Sequence, residues 1–238
     1  KNSLIMLDIL NNNHWKRPIY FSPGSFGDDH YLWMKEYLQL DGMVYKLVPI
    51  KTPIIKENYP DLGQIDTDKM YSLIMKWQWG NGELKSIYHD PETRRNCSST
   101  RGNMARTMDL LIKEGKIKQA KNIIELALAK MPLDSYGFYL SLEPFVNGYY
   151  KINEKQKARD LANRLIGKYQ QELLYYSKFN NNDKVFMATK IIIPAIESYQ
   201  IILETMIKNG DVDEYNKQRT IFYSYYNRFK GLFNRPTE

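Results

Sequence analysis

The sequence predicts a mainly α protein, with a small α/β N-terminal part followed by antiparallel helix pairs arranged as an α–α superhelix. Three observations carry this expectation. Apolar residues recur at helical spacing through most of the chain after residue 66. Alanine and glycine fall at fixed places within that region. Strand-like runs, broken by proline and glycine, are confined to the first 65 residues. The expected organisation is a small subdomain over 1–65 and a helical repeat domain over 66–238.

The first apolar stretch, Leu4 to Leu10, has helical character, and Asn11-Asn12-Asn13 is expected to end it because asparagine favours turns and left-handed caps. Arg17-Pro18-Ile19-Tyr20-Phe21 reads as a short strand with proline at its start or edge, where a missing N–H is tolerated. Residues 22–29 form a loop rich in Pro, Gly, Ser and Asp, and Tyr31 to Leu38 a short helix. Asp41-Gly42 then turns the chain into a second strand, Met43 to Ile50. Three prolines, Pro49, Pro53 and Pro60, make the stretch to residue 65 irregular. Asp66 or Thr67 caps a helix running to Trp79, which Gly80-Asn81-Gly82 stops. Asp90-Pro91 opens the next helix with a capping carboxylate followed by proline at the first helical position, and that helix runs to Gly115.

From there a pattern repeats. Met104, Met108 and Leu111 lie on a first helix, Gly115 makes the turn, Ala120, Ile124 and Ala127 lie on a second helix, and Pro132 follows. Counted back from Pro132, these residues fall where a tetratricopeptide repeat places its own, although Met108 stands where a small residue is usual. Small side chains at Ala120 and Ala127 let two helix backbones approach closely. A second copy has Leu142, Phe145, Val146 and Tyr149, a turn at Asn153, then Ala158, Ala162 and Leu165. Its extra residues are expected around Asp134-Ser135-Tyr136-Gly137. A third pair begins with one long or kinked helix over 184–209, with Pro194 the expected kink, turns at Gly210 and ends with a helix from Tyr215 to Phe229. Phe222, Tyr225, Tyr226 and Phe229 form its aromatic, core-facing stripe, in the manner of a terminal capping unit.

Composition limits the function classes. At 43% hydrophobic residues the chain is too apolar to be disordered. No apolar run approaches the roughly 18 residues that a membrane-spanning helix needs. A single cysteine, Cys97, excludes an intrachain disulfide, and with no activating motif around it an inert thiol is expected. Asn96-Cys97-Ser98 fits the glycosylation triplet, a pattern common by chance. The net charge is +7, of which +5 falls after residue 150 (15 Lys/Arg against 10 Asp/Glu). Charges are mixed in sign, so the bias marks a solvated helical exterior and, as a weaker alternative, contact with an anionic membrane surface. Nucleic acid is not expected as a partner, because the aromatic and basic residues of the tail follow helical spacing.

No catalytic constellation stands out. His14, His30 and His89 lie on separate segments without metal-ligand spacing. Gly24-Ser25-Phe26-Gly27 lacks the Lys-Ser/Thr of a phosphate loop, and no Gly-x-Ser-x-Gly element occurs. Asp28-Asp29-His30 precedes a helix, where carboxylates cap N–H groups. With Arg17 this trio supplies the alternative reading, an autonomous enzyme with its site in the α/β part. Neither a cofactor nor a metal is expected.

Certain blocks carry a family resemblance: Leu7-Asp8-Ile9, then Asn13-His14-Trp15-Lys16-Arg17-Pro18-Ile19-Tyr20-Phe21; Tyr37 to Gly42 with Tyr45-Lys46-Leu47-Val48-Pro49; Asp66-Thr67-Asp68 to Trp79-Gly80; and Gly115 with Ala120. Over most of residues 4–170 the chain resembles a bacterial unknown-function family of multi-spanning membrane proteins related to protein O-mannosyltransferases, glycosyltransferases of the GT-C type. The resemblance starts at the junction after the last membrane span. It implies a membrane-proximal α/β part and a soluble, non-catalytic region tethered to a glycosyltransferase-like parent, on the periplasmic side where such transferases act. The family's proposed sugar-transfer residues lie in loops outside this chain, so no catalytic residue carries over. The expected role is a protein-binding or peptide-binding or scaffolding module, the acceptor chain being one candidate ligand. By repeat position, Asp109, Glu143, Asn147 and Tyr150 are expected to face its groove.

Overall fold

The computed structural model describes residues 2–22, 31–51, 62–179 and 182–233. It divides into two compact units, Lys1–Met131 and Pro132–Glu238. In the first unit, helix α1 (Asn2–Asn13) turns Met6 and Leu10, one helical turn apart, onto a cluster of Phe21, Tyr31, Met34, Leu38 and Leu47. The asparagine triplet forms the last turn of this helix, which ends at Asn13. Asn12 Nδ2 donates one turn back to the carbonyl and carboxylate of Asp8, at 2.9 and 3.0 Å. The stop comes at His14 and Trp15, both left-handed (φ 46° and 58°). Asn13 fastens that stop through its side chain, donating to the Arg17 carbonyl and accepting from the Arg17 amide.

Three short strands, β1 (Tyr20–Phe21), β2 (Leu38–Asp41) and β3 (Val44–Leu47), form an antiparallel sheet in the order β1-β3-β2, with Tyr45 opposite both Phe21 and Leu40. Strand β2 was not expected. The helix expected over Tyr31–Leu38 is a 3₁₀ turn, Leu32–Tyr37, and Leu38 begins the strand. The reason is a period of two: Leu38 and Leu40 are buried while Gln39 and Asp41 are only partly so. Gly42, at φ 71°, then reverses the chain into β3. On the outer edge of β2, Gln64 forms a one-residue parallel bridge, with the Leu40 amide donating to Gln64 and the Gln64 amide to Leu38. Gly63 permits this approach. It sits at φ +81°, and a Cβ there would lie 3.0 Å from the Leu40 amide nitrogen.

Helix α2 (Thr67–Ile74) begins as expected, with the Asp66 carboxylate accepting from the Lys69 amide. It ends five residues before the expected Trp79. Past the buried Ile74, Trp77 packs edge-on against Trp79, and side chains two apart cannot meet on a helix. Helix α3 (Pro91–Lys113) opens at Asp90, whose carboxylate accepts from the amides of Glu92 and Thr93. Arg106 on α3 donates to the carbonyls of Leu62 and Gly63, and Asn103 to that of Gly42. These bonds bind the helix to the sheet, so the expected boundary at 65/66 lies inside one compact unit, with all three strands before it. Helix α4 (Ile117–Lys130) returns along α3, with Ala120 and Ala127 fully buried.

In the second unit, the chain first forms a short helix, α5 (Leu133–Tyr136), and a 3₁₀ turn, Tyr139–Leu142, around Gly137 and Phe138, both at positive φ. Helices α6 (Glu143–Lys151) and α7 (Lys155–Ser177) make a hairpin whose buried residues include Phe145, Val146, Tyr149, Ala158, Ala162 and Leu165. The stretch expected as one kinked helix is two, α8 (Asn182–Met187) and α9 (Thr189–Lys208). The break is at Ala188, and Pro194 lies inside α9. Helix α10 (Val212–Phe229) completes a last hairpin with α9, and α9 packs on both α6 and α7.

All three hairpins share one turn. Gly115, Asn153 and Gly210 are left-handed at φ 74°, 62° and 70°. The amide of each bonds three residues back, to Ile112, Tyr150 and Ile207, each at 3.0 Å. The next amide, of Lys116, Glu154 and Asp211, bonds five residues back, to Leu111, Tyr149 and Met206 at 2.8–2.9 Å. This is the double-bonded C-terminal cap of a helix. It aligns Ala120, Ala158 and Tyr215 as one structural position, and Ala127, Leu165 and Phe222 as another. Ala120→Phe is expected to lower stability by about 1–3 kcal/mol through overpacking. Urea denaturation followed by circular dichroism checks this, and an unchanged midpoint would contradict the close approach of α3 and α4.

Candidate functional site

The second unit is bound together by polar links from α6 and α7 to the last hairpin. Asp211, at the turn position occupied elsewhere by Lys116 and Glu154, has a fully buried side chain. Arg159 grips both its carboxylate oxygens, Nε at 2.7 Å and Nη2 at 2.5 Å. The Tyr150 hydroxyl donates to it at 2.7 Å, and Lys155 stands 3.4 Å away. Hydrogen bonding from Arg159 holds the Asp211 carboxyl far below the usual carboxylate range, against the opposing effect of burial. Burial, then the Asp211 carboxylate, push the Tyr150 phenol upward. A second link joins Asn163 to Glu214, and a third joins Gln170, Tyr199 and Gln218, where burial raises the Tyr199 phenol to about 12.

A different side of the same hairpin is open. Between α9 and α10 lies a groove of about 500 Å³. Helix α9 contributes Leu203 and Ile207 to it, with Gln200, Glu204 and Lys208 beside them. Helix α10 contributes Tyr215, Phe222, Tyr223 and Tyr226. Phe222 forms a floor at 5% exposure, stacked on Tyr226 (6.0 Å between centroids) and edge-on to Tyr223, whereas Ile207 and Tyr223 are 44% and 50% exposed. Tyr215 and Phe222 stand where the first hairpin has Ala120 and Ala127, and both line the groove. The stripe expected to face the core is split: Phe222 and Phe229 are buried, while Tyr225 and Tyr226 are only partly so.

Of the four residues expected to face a binding groove, three make contacts between helices. Asp109 is half-buried on α3, three residues after the Arg106 that binds the sheet. Glu143 accepts from the Tyr169 hydroxyl at 2.8 Å. Asn147 accepts from Asn209 at 3.3 Å, and Tyr150 is 7% exposed and bound to Asp211. The last three thus link helices inside the second unit. Burial raises the Glu143 carboxyl to about 6, with the hydroxyls of Ser198 and Tyr169 pulling the other way. Neither Asp211 nor its Arg159 clamp was singled out from the sequence, since 52 residues separate them. The available signal was an acidic residue directly after the Gly210 turn.

Asp28, Asp29 and His30 lie outside the described residues. Arg17 and His14 are exposed, and the His89 ring lies 2.7 Å from the Gly82 carbonyl. Among the described residues, no group of three or more His, Cys, Asp or Glu could hold a metal ion. Cys97 is buried within α3, and burial raises its thiol pKa against the pull of Arg101. No helix among the described residues is long and apolar enough to cross a membrane.

Fold and site together define a protein of helical hairpins with a small antiparallel sheet and an open, tyrosine-lined groove. Residues 1–69 match a family model described as TMEM260-associated domain 2. The match covers Arg17 to Phe21 and Leu47-Val48-Pro49, and supports a TMEM260-like family for that stretch. No curated protein and no solved structure matches the chain.

Two pH effects follow from these carboxylates. Glu143 has a folded pKa of about 6 against 4.5 unfolded, so its ionisation costs stability progressively as pH rises from 4.5 to 6 and by a constant amount above. Glu143→Gln is expected to stabilise the protein by about 1 kcal/mol more at pH 8 than at pH 4. Paired thermal melts measure this, and equal shifts at both pH values would contradict it. Asp211 has the opposite sign: its folded pKa is depressed, so its contribution is present above pH 4 and lost as pH falls. Asp211→Asn is expected to cost about 2 kcal/mol at pH 7 and less at pH 2, where part of the contribution is already lost, measured by denaturant titration at both pH values.

Proposed function

We propose that this chain is a non-catalytic, peptide-binding or scaffolding part of a membrane-tethered, glycosyltransferase-like protein, on the periplasmic side of the membrane. Its helical hairpins act as a tetratricopeptide-like array, and its N-terminal sheet and α1 form the membrane-proximal part. The family match over residues 1–69 supports the parent's class. The hairpin turns at Gly115, Asn153 and Gly210, with Ala120, Ala127 and Ala158 buried after the first two, support the repeat reading. The observation that carries the binding role is the α9–α10 groove, which leaves Ile207 and Tyr223 about half exposed beside Glu204 and Lys208. Tyrosine at such a place gives a peptide a large apolar contact with a polar tip, at little cost in side-chain entropy. Peptide ligands therefore enter between α9 and α10, where recognition is apolar and aromatic with a polar rim.

An array of immobilised peptides, including acceptor-like Ser/Thr-rich segments, tests this against the purified chain. The expected result is a set of peptides whose binding falls about tenfold in the Ile207→Glu/Tyr223→Ser double variant, with the melting temperature preserved. A chain that binds no peptide on the array, or a variant that binds like the parent, would refute the role.

A further inference from the structure

We infer that the α9–α10 groove seats an amphipathic helix of a partner protein, laid along the hairpin with an aliphatic stripe against Leu203, Ile207, Phe222 and Tyr223. This rests on the peptide-binding reading above and narrows the ligand to one conformation. The unit already uses this docking mode internally. Helix α9 lies against both rods of the preceding hairpin, α6 and α7, and buries Ile192, Ala195, Ile196, Tyr199, Ile202 and Met206 in one stripe. The last hairpin has the same turn and the same sequence of helices, so it presents a corresponding seat one step further on.

The polar links place that seat away from the packed side. Bonds from α6 and α7 reach Asn209, Asp211, Glu214, Tyr199 and Gln218, and none of these lines the groove. Its lining on α9 runs from Gln200 to Lys208, about 12 Å at 1.5 Å per residue. Anchors at i, i+4 and i+7 on a docked helix span about 10 Å, so two to three turns fill it. The lining there is aliphatic and aromatic, so the partner helix should carry apolar Ile or Leu anchors against it. The rim carries cations at Lys208 and at Arg219, which lies over the Tyr215 ring. Lys208 pairs with Glu204 at 3.9 Å, and Arg219 is the cation that favours an acidic residue flanking the partner's stripe.

The probe is a fluorescein-labelled peptide copying residues 189–208, whose stripe is the one that the unit already docks. Its control carries Asp in place of Ile192, Ile196 and Ile202. Anisotropy on the full chain should show saturable binding that the control peptide loses, and that Ile207→Glu/Tyr223→Ser weakens about tenfold at an unchanged melting temperature. Circular dichroism should show a gain in helix on mixing. Absence of saturable binding, or equal binding by the variant, would overturn the inference. So would a concentration-dependent dimer by light scattering that the same variant abolishes, since the occupant would then be a second copy. Array peptides that bind at the groove without gaining helix would end the helical occupant while leaving the binding function standing.

Discussion

The hairpins depend on a left-handed residue placed where one helix must stop and the next begin. At Gly115, Asn153 and Gly210 the reversal takes a positive φ, and two amide-to-carbonyl bonds then close the cap. Glycine adopts that conformation without steric cost, and asparagine tolerates it. Because the cap fixes the residues on both sides, the fifth residue after each turn always has the same role. What differs between hairpins is the side chain placed there. Alanine in the first two lets the rods close. Tyrosine in the third stands beside an open aromatic surface.

The same alignment bears on the polar residues. The position directly after each turn faces a neighbouring element in the first and third hairpins. Lys116 bonds Thr67 and Asp68 of the first unit, and Asp211 is enclosed by Arg159, Tyr150 and Lys155. A fully buried carboxylate is tolerated because one guanidinium takes both its oxygens and a phenol takes a further lone pair. The side chains that a repeat would present to a ligand, Glu143, Asn147 and Tyr150, are drawn into the same task of joining helices. The corresponding face of the final hairpin, along α9, stays open.

Much of this was legible from residue order alone. The mainly α class, the small sheet at the N-terminus, the Asp90-Pro91 helix start and the buried alanines all follow from local rules, and local rules act through neighbours in sequence. What was missed depends on contacts between distant residues. Leu38 and Leu40 form a strand because Tyr45 and Leu47 lie beside them. All three strands lie before residue 65, but Arg106 and Asn103 reach across that line. Position in a repeat identifies which residues lie on a helix face, and Tyr150 shows that it does not identify what covers that face.

The one-residue bridge at Gln64 has a protective effect. A three-stranded sheet exposes two edges, and an edge with unpaired amides and carbonyls is a template for strand addition between molecules. Along β2 the Leu38 carbonyl and the Leu40 amide are already committed to Gln64, and Arg106 holds the adjoining Leu62 and Gly63 carbonyls. An incoming chain would have to displace a segment fastened at both its backbone and its flank. The most strand-like surface of the protein is thereby sealed against aggregation, through a glycine that lets two main chains come nearly into contact.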